Sequence, residues 1–397
     1  MPAGGVRPRR HAAALGSLVL AALTAGACSG ADPAARRCRI VPPPAAGAAP
    51  VFPASRWGCV ERPEALGWSR SGLAAVRRFS EEAGAAAVVV VHRGVVVAEW
   101  GEVDQPVNVR SARKSLLNAL YGIHAGAGRV RLDATLAELA IDDHPPLTAA
   151  ERRARLTDLL TSRSGIYHPA AYEHPKNRRR RPPRGSHPPG TFFYYNNWDF
   201  NALGTILARA AGADLFADFE RRVARPLGME DWDRSLMSYR REEVSEHPAY
   251  LFRISARDLA RFGLLYLRDG VWRGRRILPP GWVEASTRAH LAVPGEDAHY
   301  GYLWWVVPAD GAGAVPERYF YADGAGSQYL WVLPERDLVV AHLTDTDYLP
   351  VKTVLGLAMD DEKAWELLAM VVEAGPPSDD RRLRPRSPAA GAPGSAR

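Results

Sequence analysis

The stretch Asn108-Val109-Arg110-Ser111-Ala112-Arg113-Lys114-Ser115-Leu116-Leu117-Asn118-Ala119-Leu120-Tyr121 opens a helix. Leu116, Leu117, Leu120 and, just beyond it, Ile123 recur at helical spacing and predict a buried stripe. A helix beginning near Ser111 places Lys114 one turn on along the same face, its amine within reach of the serine hydroxyl. Free N–H groups at a helix start, and the positive end of its dipole, favour negative charge developing beside that serine. A nucleophile, a candidate base and an electrophilic helix end together suit attack on a carbonyl.

Composition sharpens the lysine. Of 51 Lys plus Arg residues only four are lysines: Lys114, Lys176, Lys352 and Lys363. Arginine is always charged and cannot take up a proton, whereas a lysine amine is driven neutral by burial and neighbouring positive charge. A lysine retained one turn after a serine therefore points to a base rather than to a solvated cation.

Outward from this helix, residues 1–27 combine Arg7, Arg9 and Arg10 with an apolar run from Ala12 to Ala27, which is the pattern of a secretory signal. Ala25-Gly26-Ala27 before Cys28 resembles the lipobox of bacterial lipoproteins, and that resemblance implies lipidation of Cys28 and a membrane anchor at the outer face of a bacterial cell membrane. Residues 28–60, with Pro42-Pro43-Pro44 and an Ala/Gly/Pro run to Pro53, read as an extended tether. Cys38 and Cys59 form an even pair in an exported chain, better read as a disulfide than as a metal site.

Residues 61–375 have ordinary globular composition without a linker or repeat, and read as one domain with two lobes. Ser69 to Ala83 predicts a helix ended at Gly84, followed by the hairpin Ala87–His92, Arg93-Gly94, Val95–Trp100. Strands are predicted at Gly301–Val307, Arg318–Tyr321, Gln328–Leu333 and Leu338–Leu343, then a helix over Glu362–Glu373. The middle is mostly helical, including Leu156–Leu160, Asn201–Ala210, Leu215–Arg225 and Ala256–Arg268. The fold class is thus α+β: an antiparallel sheet built from both chain ends, flanked by terminal helices, with a large inserted α-helical lobe and a cleft between the lobes. Residues 376–397, rich in Pro, Ala, Arg and Ser, read as a disordered tail.

A second run, Pro189-Gly190-Thr191-Phe192-Phe193-Tyr194-Tyr195-Asn196-Asn197, leads into the helix at Asn201. With Ser111-x-x-Lys114 it resembles the S-x-x-K and Y-x-N motifs of the class C β-lactamase and penicillin-binding-protein-like serine hydrolases. Leu159–Gly165 and Ile254–Ala260 look like that family's recurrent landmarks. The resemblance implies a β-lactamase-like fold and acyl transfer without cofactor or metal. Ser111 would attack, Lys114 and Tyr195 would manage its proton, and Asn197 would position the lysine and substrate. A phenol beside a protonated lysine is favoured in its ionised form, so the two can share the role of base.

The family's third motif, a cation, a small residue and a glycine, falls within Ala322-Asp323-Gly324-Ala325-Gly326-Ser327-Gln328. One register keeps Gly324 and offers the N–H of Ala325 to an oxyanion hole beside that of Ser111; the other offers the N–H of Gln328. Neither supplies the cation that holds a substrate carboxylate in relatives, which argues against efficient β-lactamase or carboxypeptidase action. With its Gly-x-Gly-x-Gln-Tyr run the chain looks most like 6-aminohexanoate-dimer hydrolases and related esterases, implying a small amide or ester substrate. A penicillin-interactive DD-peptidase or β-lactamase and a catalytically silent cell-envelope binding protein are the alternatives.

Other classes find little support. Lys176–Arg184 is a dense basic loop and the net charge is +7, yet no nucleic-acid-binding pattern accompanies them. No Gly-x-Ser-x-Gly elbow, zinc spacing or phosphate loop is present. His168 reads as structural, and Trp304 and Trp305 as sheet residues, one available to line an acyl pocket. The residues leave the oligomeric state open.

Overall fold

The computed structural model describes residues 38–45, 47–309, 311, 313–345 and 359–378. The signal, Cys28 and all but the first residues of the C-terminal tail lie outside them. Among the described residues no helix is long and apolar enough to cross a membrane.

The centre is one ten-stranded sheet: β1 (Arg39–Ile40), β2 (Gly58–Cys59), β3 (Ala87–His92), β4 (Val95–Gly101), β5 (Leu291–Ala292), β6 (His299–Tyr300), β7 (Trp305–Val307), β8 (Tyr319–Gly324), β9 (Gln328–Leu333) and β10 (Leu338–Leu343). Their spatial order is β1-β2-β4-β3-β10-β9-β8-β7-β6-β5. The β3–β4 hairpin turns at Arg93 and Gly94, both at positive φ (54° and 81°), as a two-residue primed turn requires. β3 pairs antiparallel with β10, so the two chain ends meet mid-sheet.

Both faces of this sheet are covered, which explains the unbroken Val88–Val91 run. Val89 and Val91 pack under the helical lobe, whereas Val88 and Val90 pack against the terminal helices. Those are α1 (Arg70–Glu82), capped by Ser69, and a C-terminal helix over Asp361–Ala374. Between β4 and β5 lies the inserted lobe, with α2 (Arg113–Gly126), α3 (Leu156–Leu160), α4 (Asn197–Ala211) and α5 (Ala256–Leu267).

The structure departs from the sequence expectations at four places. Residues 38–60, read as a tether, supply β1 and β2, which run parallel to each other and to β4, so the sheet is not antiparallel at this edge. Trp57 is buried in the core and donates to the Arg257 carbonyl, and the Cys38–Cys59 disulfide ties the two strands together. The strand expected from Gly301 is shorter because Leu303 (φ 61°) turns toward α2, its carbonyl accepting from the Ser115 hydroxyl (2.8 Å). The Leu215–Arg225 helix breaks into Leu215–Phe219, a π turn over Glu220–Ala224 and Arg225–Leu227, where Pro226 lacks an N–H. α4 starts four residues early, at Asn197, capped by Asn196.

Candidate active site

Ser111 sits in a 3-10 turn, Arg110–Ala112, that feeds directly into α2. The turn is pinned from behind. Val107–Asn108 pairs with Arg253–Ile254, the Val109 N–H donates to the Phe252 carbonyl, and the Asn108 side chain accepts from the Arg110 N–H (3.0 Å). Arg110 takes a φ of 52°, a left-handed conformation that costs a non-glycine residue energy and aims the next side chain outward. Ser111 is accordingly half-buried, while α2 beyond it is buried along most of its length. Polar side chains on α2 are answered by the lobe: the Asn118 amide donates to Tyr302 O and Ser286 Oγ and accepts from Tyr266 and Trp282.

One turn on, Lys114 is only 2% exposed. Its Nζ lies 2.7 Å from Ser111 Oγ and 2.9 Å from the Tyr195 hydroxyl, and within 4.5 Å of the Tyr195 and Phe200 ring centres. Tyr195 is held from both sides. Ser162 accepts from the Tyr194 N–H through its carbonyl, and its hydroxyl donates to Tyr194 O (2.7 Å) and accepts from the Asn196 N–H (3.0 Å). The Leu159–Gly165 landmark is thus a clamp on the tyrosine loop. Trp305 stacks on the Tyr195 ring at 5.6 Å, and Tyr300 meets it edge-on.

Electrostatics corrects the expectation of a protonated lysine beside a phenolate. Burial first, and then the Arg113 charge, hold the Lys114 amine well below its ordinary 10.5, with Asp323 opposing. Burial, then Asp323, push the Tyr195 phenol up. Both partners are driven toward their neutral forms, because a dry pocket penalises either charge. A neutral amine 2.7 Å from a hydroxyl can accept its proton. Arg113, itself buried, has no carboxylate partner among the described residues and packs its guanidinium over Tyr250 (4.9 Å).

Within the third stretch, Gly324 lies against the serine turn. A side chain there would put its β-carbon 2.2 Å from Val109 O and 3.2 Å from the Ala112 N–H nitrogen, so β8 presses its backbone directly on the serine turn. The next residue, Ala325, is exposed. Gln328 instead lies opposite Gly324 across the hairpin, with its side chain buried and hydrogen-bonded to Gly326 and Thr344. Ala322 packs in the core beneath the helical lobe.

Asn197 differs from its expected part. Its amide donates to the Tyr172 carbonyl (3.1 Å), and no hydrogen bond joins it to Lys114. The Tyr172 hydroxyl in turn accepts from the Arg110 guanidinium and from Asn108, so Asn197 braces the approach to Ser111 rather than the lysine. His168 is buried 3.6 Å from Glu151, away from the serine. The basic stretch expected as a loop forms a short helix over Pro175–Arg180, after which Arg181 pairs with Glu173 and Arg184 with Glu151. Trp304 is a core residue. Among the described residues no three His, Cys, Asp or Glu side chains gather into a metal-binding group.

Two side chains went unremarked in the sequence: Arg113, adjacent to Lys114 in every helix starting there, and Asp323, in the middle of the third motif. A charged residue touching each motif was the available signal.

Comparison places this geometry among known proteins. The beta-lactamase family model matches residues 74–361. Similar solved structures include a protein from Bacillus anthracis assigned as a 6-aminohexanoate-dimer hydrolase (TM-score 0.56, 23% identity, 76% of this chain and 83% of that one). A penicillin-binding protein homologue from Caulobacter crescentus gives a TM-score of 0.56 at 16% identity, over 78% of this chain and 99% of that one. A beta-lactamase from Mycobacterium bovis gives 0.51 at 19% identity, over 73% and 93%. At these identities the likeness is one of fold. No curated protein matches by sequence. The family model spans most of the chain and the fold agrees with it, so the protein belongs to the beta-lactamase family of serine hydrolases.

Proposed function

We propose that the protein is an exported hydrolase that cleaves a small amide or ester through an acyl-enzyme on Ser111. The observation that carries this reading is the Lys114 amine lying between the Ser111 and Tyr195 hydroxyls at 2.7 and 2.9 Å. Neutral Lys114 takes the serine proton as Oγ bonds to the substrate carbonyl carbon. The carbonyl oxygen, now negative, is received by the backbone N–H groups of Ser111 and Ala325, which the contact of Gly324 with the serine turn supports. Tyr195 passes the proton from Lys114 to the leaving amine or alcohol, and a water repeats the sequence in reverse to free the acid. Trp305, stacked on Tyr195, offers an apolar surface to the acyl chain.

A membrane anchor through Cys28 and export are part of the same proposal, supported by the N-terminal pattern and by a disulfide, which belongs to an oxidising compartment. Cys28→Ala should move the protein from the membrane to the soluble fraction; unchanged fractionation rejects the anchor.

Intact-mass spectrometry of the protein with a fluorophosphonate, a p-nitrophenyl ester and a penicillin, alongside Ser111→Ala, tests the chemistry. Fluorophosphonate and ester adducts that require Ser111, without a penicillin adduct, are expected. A stable penicillin adduct would replace this reading with a penicillin-interactive one, and no Ser111-dependent adduct would make the chain a binding protein.

A further inference from the structure

Near the far end of α2 from Ser111, a cavity of about 250 Å³ lies between three parts of the chain. α2 supplies Ile123, and the π turn over Glu220–Ala224 supplies Arg221 and Arg222. The hairpin of Val271–Trp272 with Arg275–Arg276 supplies both of its arginines and, just beyond them, Ile277. Ile123 lies about 14 Å along the helix from Lys114, so this cavity is separate from the serine site. Four guanidinium groups and two isoleucines line it, and among the described residues no carboxylate does.

The arginines are held by acids set back from the cavity. Asp218, only 1% exposed, accepts from His124 of α2 on one oxygen (2.7 Å) and from Arg221 and Arg222 on the other (2.6 and 2.8 Å). Arg221 uses one Nη there and Arg222 its Nε, which leaves two nitrogens of each guanidinium for a further acceptor. Arg276 donates through Nη1 to the Asp269 and Leu278 carbonyls and lies 3.6 Å from the Asp269 carboxylate. Arg275 is exposed, and its side chain makes no hydrogen bond or ion pair among the described residues. Four positive charges are thus paired with two carboxylates, Asp218 and Asp269, an excess of two around a space that holds neither acid.

That excess and that many donors call for an anion with more to offer than a carboxylate. A carboxylate presents two oxygens and one charge, whereas a phosphate monoester presents three terminal oxygens and close to two charges at neutral pH. Ile123 and Ile277 add apolar surface suited to a short carbon stem. The volume falls just below the roughly 300–1,000 Å³ of sites for larger ligands, which limits the occupant to a phosphate with few carbons beside it.

We propose that this cavity is a binding site for a phosphate monoester with a short apolar stem, presented by a free phosphate ester or by a lipid headgroup such as that of phosphatidic acid. Asp218 and the hairpin hold the donors in place before the ligand arrives, and the rigid arginine fork loses little freedom in binding it. Nothing in the site depends on Ser111.

Calorimetric titration of the full-length protein with butyl phosphate and with butyrate, at physiological ionic strength, tests the chemistry on one shared stem. Butyrate should bind on the order of 10-fold or more weakly than butyl phosphate. Arg275→Gln leaves Asp218 and its partners untouched, so affinity for butyl phosphate should fall on the order of 10-fold at unchanged melting temperature, and Arg222→Gln should lower it as well. Equal affinity for the two ligands, no measurable binding of butyl phosphate, or binding unchanged in both variants overturns the proposal. Flotation of the full-length Cys28→Ala protein with phosphatidylcholine vesicles, containing or lacking phosphatidic acid, separates the two sources. Flotation that needs phosphatidic acid and is lost in Arg275→Gln assigns the site to a headgroup; arginine-dependent binding of butyl phosphate without flotation assigns it to a free ester.

Discussion

Gly324→Ala is the substitution whose consequence can be worked most fully from the structure. The added β-carbon would lie 2.2 Å from Val109 O, 2.9 Å from Gln328 Cβ and 3.2 Å from Ala112 N. Two of the three are backbone atoms of the serine turn, which is itself fixed by the Phe252 carbonyl and the Asn108 side chain, so no flexible side chain can yield. Relief of the closest contact requires β8 and the turn to part by about 1 Å, and a displacement of that size between reacting groups costs on the order of 100-fold in rate. Overpacking of this kind also costs about 1–3 kcal/mol of stability. Ester hydrolysis and the rate of fluorophosphonate labelling should both fall about 100-fold in the variant, while its circular dichroism stays native and its melting temperature drops by a few degrees. Activity within a few-fold of wild type at unchanged melting temperature would refute the contact between β8 and the serine turn, and with it the role given to the Ala325 N–H.

Lys114→Met keeps the unbranched length in a dry pocket but removes the amine, so kcat/KM for the ester should fall about 10³-fold with stability retained or raised; near-normal turnover removes Lys114 as base. Because only the neutral amine accepts a proton, kcat/KM should fall as pH drops through the amine's folded-state pKa. That lies well below 10.5, so a profile rising only near about pH 10 refutes the assignment. Asp323 holds the amine up and Arg113 holds it down, so the acid limb should move to lower pH in Asp323→Asn and to higher pH in Arg113→Gln. Reducing Cys38–Cys59, separated by 21 residues, should cost about 3 kcal/mol, read as a lower melting temperature with thiol present.

The parts of this molecule that repeat a strong period were legible beforehand. α2 was read from Leu116, Leu117 and Leu120, and β3, β9 and β10 from runs whose two faces are both buried. The serine and lysine one turn apart do meet, as does a tyrosine from a loop more than eighty positions on. What escaped was set by tertiary packing. Two-residue strands such as Arg39–Ile40 carry no period, and their place depends on Trp57 finding the core. The protonation of Lys114 and Tyr195 depends on how dry their pocket is, which spacing does not encode. Asn197 was assigned by its motif position, but in three dimensions its amide donates to the Tyr172 carbonyl.

The pairing of β3 with β10 also imposes an order in time. Ser111 is synthesised about two hundred residues before Gly324, and the sheet that brings them together cannot close until Leu343 has emerged. A nascent chain therefore carries its serine and lysine without the strand that faces them, and exposes the valines of β3 while it waits. The chain is chemically idle for most of its own production, and any truncation before the ninth and tenth strands yields a sticky fragment rather than a weakened hydrolase.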